Sequence, residues 1–284
     1  MPEATPEGLP SRRQALWIAV VGLCVSWLLL VAAPLIPGLP PRLGTVLVSG
    51  LLAAATFAAI YGLAAAFISD WYELAGIVIC GGLWFLVGDV EAKGLARIFL
   101  GATASVLFML ACVLFGRLVS RLVREPNLLL PVLITAAVAD VFTVTVGPTH
   151  MALEKADKVV RSLSVAVPQA GSAAGKEGVA GLTVAASIGL GDFIFAALFL
   201  TAAWRHGLEV RTATLAAAFL AVLGMSLVLL VPQIPALPLL PFIVVGVLVP
   251  NAGRFRLSSQ EKLALAVGGV FLVLLLGGFY LATR

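Results

Sequence analysis

The feature that most restricts the fold of this chain is a succession of nine apolar stretches separated by polar connections, most of them long enough to span a bilayer. They fall at about 15–36, 44–68, 73–90, 94–119, 128–146, 179–203, 211–231, 236–250 and 262–282. A hydrocarbon core of about 30 Å needs roughly 20 apolar residues in a helix, and within lipid each backbone N–H and C=O must be satisfied internally. Stretches of this length and number therefore predict helices in lipid. Composition agrees: 61% of residues are hydrophobic and 11% charged, against roughly half and a quarter in soluble domains. The expected fold class is all-α, a polytopic transmembrane helical bundle of about nine spans. Arg12 and Arg13 precede the first stretch and the small residues Ala32 and Ala33 follow it, which is the outline of a signal peptide. The continuous spans that come after favour a retained first helix.

Charge and ligand-type residues narrow the function. The formal charge of +4 is spread over tails and connections, so it reads as a topology signal, and nucleic acid is not an expected partner. Cys24, Cys80 and Cys112 are isolated in apolar segments, and His150 and His206 lie far apart. No metal site, disulfide framework or cofactor is implied. With nine spans, ten Lys and Arg fall on the amino-terminal side and eight on the other, four of them in the long loop. The difference leans toward a cytoplasmic amino terminus without deciding the orientation.

The connections carry their own signals. The eighth stretch is short and contains Pro235, Pro238 and Pro241; proline removes a backbone donor, so this stretch is not expected to start as a regular helix. The longest interruption, 147–178, divides into a charged amphipathic part at 150–163, an extended segment at Ser164–Val167 and a flexible run at Gly171–Gly178. Arg117, Arg121 and Arg124 share one helical face past the end of a span and read as headgroup anchors. Gly44 with Gly50, and Gly277 with Gly278, read as helix-packing positions.

Twelve of the fourteen acidic residues lie in the tail, in connections or near span ends, Asp70 and Glu73 among them. The other two, Asp140 in VLITAAVADVFTVTV and Asp192 in VAASIGLGDFIFAALFL, have apolar or small neighbours on both sides. An ionisable group at that depth costs a few kcal/mol and needs a partner or a task. Neither span contains a Lys or Arg, so the partner available to each acid is the other. Two carboxyls sharing a site of low polarity hold one proton between them. The ionised one can then take a proton from water while the protonated one hydrogen-bonds a carbonyl oxygen, which is the chemistry of aspartic proteolysis. Gly189 and Gly191, flanking Leu190 just before Asp192, leave room for a backbone or substrate beside the acid.

With these residues in view, the chain resembles the presenilin and signal peptide peptidase superfamily of intramembrane aspartyl proteases. The resemblance rests on three signatures in order: Ala139-Asp140 followed by VFTVTVGPTH, the GxGD segment Gly189-Leu190-Gly191-Asp192-Phe193, and Pro235-Ala236-Leu237, similar to the family's PAL motif. It covers about 128–251. The chain is read as a scaffold of four spans at 1–127, for which no resemblance is claimed beyond their being helices, a presenilin-like catalytic core at 128–251 and a final span at 252–284. The resemblance implies catalytic roles for Asp140 and Asp192, with supporting roles for Gly189, Leu190, Gly191, Pro235, Ala236 and Leu237. The substrate implied is a transmembrane protein or signal peptide within the lipid bilayer, and the form is most like a prokaryotic presenilin-like protein of the cytoplasmic membrane. The chain departs from the family in having Ala139 in place of Tyr and Ser187 in place of the usual Lys, and in placing four spans before the first acid and one after the PAL segment.

Two other readings of the acids stand beside this one. In the first, each is a buried structural acid satisfied by backbone or by hydroxyls such as Thr143 and Ser187. In the second, the pair binds a proton or cation in a coupled transporter, which the proline-broken eighth stretch would also suit. Pro235, Ala236 and Leu237 could likewise be helix-start punctuation alone.

Overall fold

The structure is a computed structural model that describes residues 10–36, 41–66, 68–90, 92–145, 163–174, 183–231 and 237–282. Among these residues are nine α-helices: α1 Arg12–Ala32, α2 Pro41–Ala65, α3 Asp70–Gly88, α4 Leu95–Val119, α5 Pro126–Thr145, α6 Leu190–Arg205, α7 Val210–Leu230, α8 Leu240–Asn251 and α9 Ser259–Ala282. Six of them, α1 to α5 and α7, are long and apolar enough to cross a membrane. The chain is predominantly helical, as its apolar stretches predict, but it is not all-α. Strands β1 Ser164–Pro168 and β2 Val184–Gly189 form an antiparallel two-stranded sheet.

That sheet corrects the sixth span. Instead of a helix over 179–203, the chain runs extended from Val184 to Gly189 and becomes helical at Leu190. The register pairs Ser164 with Gly189 and Ala166 with Ser187, and the Leu190 N–H still donates to the Leu163 carbonyl at 3.2 Å. Pairing with β1 satisfies backbone groups that would otherwise require a longer helix. At 16 residues, α6 is roughly 24 Å long, too short to cross alone. The expected extended segment at Ser164–Val167 is β1, with Val165 and Val167 buried.

The α6 helix is the centre of the bundle. Phe193 and Ala196 to Ala203 are all buried, and α6 touches α2, α4, α5, α7 and α8. A helix that is apolar all round belongs in such an interior position. By contrast α3 packs mainly on α4, and α9 on α5.

Helices approach closely where small residues meet. On α1, Ala15, Ala19, Gly22 and Ser26 are buried against α2. A Cβ on Gly22 would lie 2.7 Å from the Ala55 carbonyl oxygen, and one on Gly62 would lie 2.5 Å from that of Ala15. This is the small-residue packing that membrane helices use in place of a hydrophobic drive. Gly116 of α4 similarly abuts the Ile194 carbonyl of α6. These glycines, not Gly277 and Gly278, are the close-contact positions, since a Cβ at either of the latter meets nothing within 4 Å. A Cβ on Gly50 would lie 3.4 Å from a Val222 methyl, an ordinary contact distance. The Gly62→Ala variant forces backbone against backbone and is expected to cost about 1–3 kcal/mol, to be read as a lowered unfolding midpoint. Gly278→Ala should leave the midpoint unchanged.

The arginines in the last turn of α4 and just past it are also reassigned. Arg117 is buried, with its Nε 2.9 Å from Glu73 Oε1 and its Nη2 3.0 Å from the Ala66 carbonyl. Arg121 pairs with both Glu73 and Asp70. Glu73 itself is 1% exposed, so the first turn of α3 delivers a buried acid to two cations instead of lying in a connection. Arg124 stays exposed, as a headgroup anchor would.

The amphipathic part of the long loop, apart from Leu163 at its end, lies outside the described residues. The start of the run taken as flexible is held in place: the Gly171 N–H donates to the Ala33 carbonyl at 2.9 Å, and the Ala170 N–H to Thr45 Oγ1 at 3.3 Å. A type of φ near +74° at Gly171 is one that glycine adopts without strain.

Candidate active site

Asp192 stands in the first turn of α6, three residues after the N-cap Gly189. Gly189 is extended, with φ −72° and ψ 159°, and its N–H donates to Asp192 Oδ2 at 3.2 Å. The carboxylate thus closes the junction between β2 and α6, and glycine has no side chain to return a second capping bond. An acid in the first turn is also favoured by the helix dipole. Asp192 is therefore not in the middle of a continuous helix. It marks the point where strand becomes helix.

Asp140 lies near the end of α5, and its partner comes from 100 residues further along the chain. The Leu240 N–H donates to Asp140 Oδ2 at 3.0 Å. Leu240 opens α8, whose N-cap Leu239 offers no side-chain acceptor. The second residue of that helix is Pro241, which has no N–H. The orphan donors of a helix start must find an acceptor, and Asp140 supplies it across the bundle. Thr143 donates to the backbone carbonyl of Asp140 at 3.0 Å, not to its carboxyl. Ser187 is exposed on β2 and bonds neither acid through its side chain.

Two helix N-termini therefore converge on two carboxyls. Asp140 and Asp192 lie within electrostatic reach of each other, α5 and α8 both pack on α6, and both acids are partly buried. Each uses its Oδ2 to accept a backbone N–H. Leu237 and Pro238 are non-helical, as the prolines predict, and lie immediately before the residues that reach Asp140. Pro235 and Ala236 fall outside the described residues.

The glycines around Asp192 differ in role. A Cβ on Gly189 would sit 3.7 Å from Asp192 Oδ2, an ordinary contact, while one on Gly191 would meet nothing within 4 Å. No neighbouring backbone presses on Gly191, so its missing side chain leaves space next to the acid. Leu190 is exposed.

Asp192 also borders a cavity of about 20 Å³ shared with Thr56, Phe193 and Met225. Sequence reasoning did not single out Thr56, one hydroxyl among many in apolar spans, because its place beside Asp192 depends on how α2 packs on α6. Among the described residues no group of three or more His, Cys, Asp or Glu side chains is arranged to hold a metal. Comparison with protein families, with curated proteins and with solved structures returns no match to the chain.

Proposed function

We propose that the chain is an intramembrane aspartyl protease of the presenilin and signal peptide peptidase type, cleaving peptide bonds in the transmembrane segments of other proteins. The observation that carries this reading is the convergence of Asp140 and Asp192, from separate helices, each held through its Oδ2 by a backbone N–H. A purely structural acid needs only its own donor. Here two such acids are set within reach of each other, although like charges at close range are unfavourable unless one is protonated.

In the proposed reaction the ionised carboxylate takes a proton from water as the water oxygen attacks the peptide carbonyl. The protonated carboxyl gives its proton to the carbonyl oxygen, forming a tetrahedral diol. On collapse, a proton passes to the amide nitrogen, the C–N bond breaks, and a carboxylic acid and an amine leave. One water is consumed and the dyad returns to its singly protonated form. The helix N-termini at Leu190 and Leu240 favour the single negative charge that the pair retains.

A transmembrane substrate hides its carbonyls in helical hydrogen bonds until it is locally unwound. Strand β2, paired with β1, leads directly into the turn that holds Asp192, a suitable neighbourhood for a strand of substrate.

The decisive experiment is cleavage of a model transmembrane peptide by the purified chain in liposomes, with product termini identified by mass spectrometry. A substrate isostere carrying a hydroxyl at the scissile position is expected to inhibit, because its oxygen occupies the place of the attacking water. Absence of cleavage together with substrate-driven proton flux in sealed vesicles would transfer the acids to the coupled-transporter reading.

A further inference from the structure

The short helix α8 is tied to a different neighbour at each end. At its start the Leu240 N–H donates to Asp140 Oδ2 of α5. At its end the side chain of Asn251, fully buried, makes two bonds: Nδ2 donates to the Val247 carbonyl of the same helix at 2.9 Å, and Oδ1 accepts the Glu209 N–H at 2.7 Å. Both polar atoms of this buried amide are thus bonded, as burial requires. Glu209 is the N-cap of α7 and offers that helix no side-chain cap. Its φ of −73° and ψ of 74°, with the Val210 N–H donating to the Leu208 carbonyl at 2.9 Å, place it at the centre of an inverse γ-turn. The N–H of that central residue takes no part in the turn, and Asn251 supplies its acceptor.

Between its two ends α8 lies directly on α7. A Cβ on Gly246, midway along the helix, would sit 2.4 Å from both Cα and N of Ala217, so the two backbones touch there and the contact acts as a fulcrum. At about 1.5 Å per residue the arms on either side are roughly 9 Å and 8 Å long, so a displacement of one end returns at the other at nearly the same size. The bond to Asp140 has little room for it. It is 3.0 Å long, and a further ~1 Å takes it outside hydrogen-bonding distance. No nearby donor replaces it, because Pro241 has no N–H and those of Phe242 and Ile243 are bonded to the Leu239 carbonyl.

We propose that Asn251 is a positioning residue for the candidate site: by tying the last turn of α8 to the Glu209 N–H, it stops the helix rocking on Gly246 and keeps the Leu240 N–H on Asp140. The bearing of this clamp on cleavage rests on the protease reading above; the clamp itself does not. Asn251 stands at the far end of a helix roughly 18 Å long, so it acts on the acids only through α8.

The test is hydrogen exchange of the full chain in lipid nanodiscs, resolved to single amides by electron-transfer fragmentation and mass spectrometry. In the wild type the Leu240 amide is expected to be protected. Glu209→Pro deletes the N–H that Asn251 accepts, at a φ that proline adopts, while Glu209→Ala keeps that N–H and loses only the side chain with its Arg254 pair. Glu209→Pro should speed exchange at Leu240 roughly tenfold, the factor carried by one hydrogen bond, with the amides of Val244 to Val247 unchanged; Glu209→Ala should match the wild type. Asn251→Leu, of the same branched shape without the polar atoms, should repeat the Glu209→Pro pattern. In turnover of a transmembrane peptide, Glu209→Pro should lower kcat roughly tenfold and leave KM within about twofold, because a small misplacement of a reacting group is felt in the transition state and not in substrate binding. A Leu240 amide that exchanges freely in the wild type overturns the clamp. So does wild-type exchange at Leu240 in both variants, or equal acceleration along the whole of α8. Rapid Leu240 exchange with an unchanged kcat overturns the positioning role. A wild type that cleaves nothing removes the protease reading, and the exchange rates then still decide whether the clamp exists.

Discussion

Replacing either Asp140 or Asp192 with asparagine is expected to abolish peptide cleavage while the bundle stays folded. General acid and base groups are each worth about 10²–10⁴ in rate, and a dyad that shares one proton loses both roles when either carboxyl is removed. Asparagine retains a side-chain oxygen, so it can still accept from the Leu240 N–H at position 140 or the Gly189 N–H at position 192. The structural duty of each acid is thereby separated from its proposed chemistry. Alanine does not make that separation: Asp140→Ala strips the cap from α8 and should also cost about 0.5–2 kcal/mol. The measurements are turnover of a transmembrane peptide and thermal unfolding of the same samples. Either asparagine variant retaining more than a small residue of activity would remove the dyad from the mechanism. In the wild type, activity should rise and then fall with pH, each limb belonging to the pair as a whole. At low pH both carboxyls are protonated and no base remains; at high pH both are ionised and no acid remains.

The largest stability effect is expected at the other end of the bundle. Among the described residues, Glu73→Ala leaves the Arg117 guanidinium buried with the Ala66 carbonyl as its remaining acceptor, and breaking such a pair from one side costs about 3–5 kcal/mol. Arg117 Nη1 already has no acceptor among the described residues, so its desolvation is incompletely offset even with Glu73 present. Removing both charges together, as Glu73→Leu with Arg117→Met, should restore most of the loss, because well-packed apolar replacements of a buried pair are commonly neutral or stabilising. Thermal unfolding in detergent compares the three proteins. A single variant within about 1 kcal/mol of the wild type would mean that water reaches the pair and that α3 is not anchored there. Because α3 packs mainly on α4, the Glu73→Ala variant should also loosen α3 first, seen as faster amide exchange along 70–88.

The predominantly helical, membrane-type character of the chain was legible in its hydropathy alone, because in lipid the backbone leaves no alternative that an apolar stretch of twenty residues could adopt. The two acids were legible for the same reason: Asp140 and Asp192 were conspicuous because nothing in their own spans could neutralise them. The prolines of the eighth stretch correctly predicted that Leu237 and Pro238 would not be helical, a local effect of missing donors.

What the tertiary structure decided is where pairing across the chain overrides local pattern. The stretch 179–203 looks like one span, yet β1 captures 184–189 as a strand, and the helix begins only where Asp192 can cap the Gly189 N–H. Glu73 and Arg117 looked like interfacial residues because each is near a span end. Their burial depends on α3 and α4 meeting over 44 residues of separation. Asp140 acquires its donor from Leu240, and Thr56 its place near Asp192, only once α5, α8, α2 and α6 are assembled. Hydropathy acts residue by residue and specifies which segments enter lipid. Hydrogen bonds and ion pairs between distant segments depend on position in three dimensions, so only the folded bundle determines which polar groups meet.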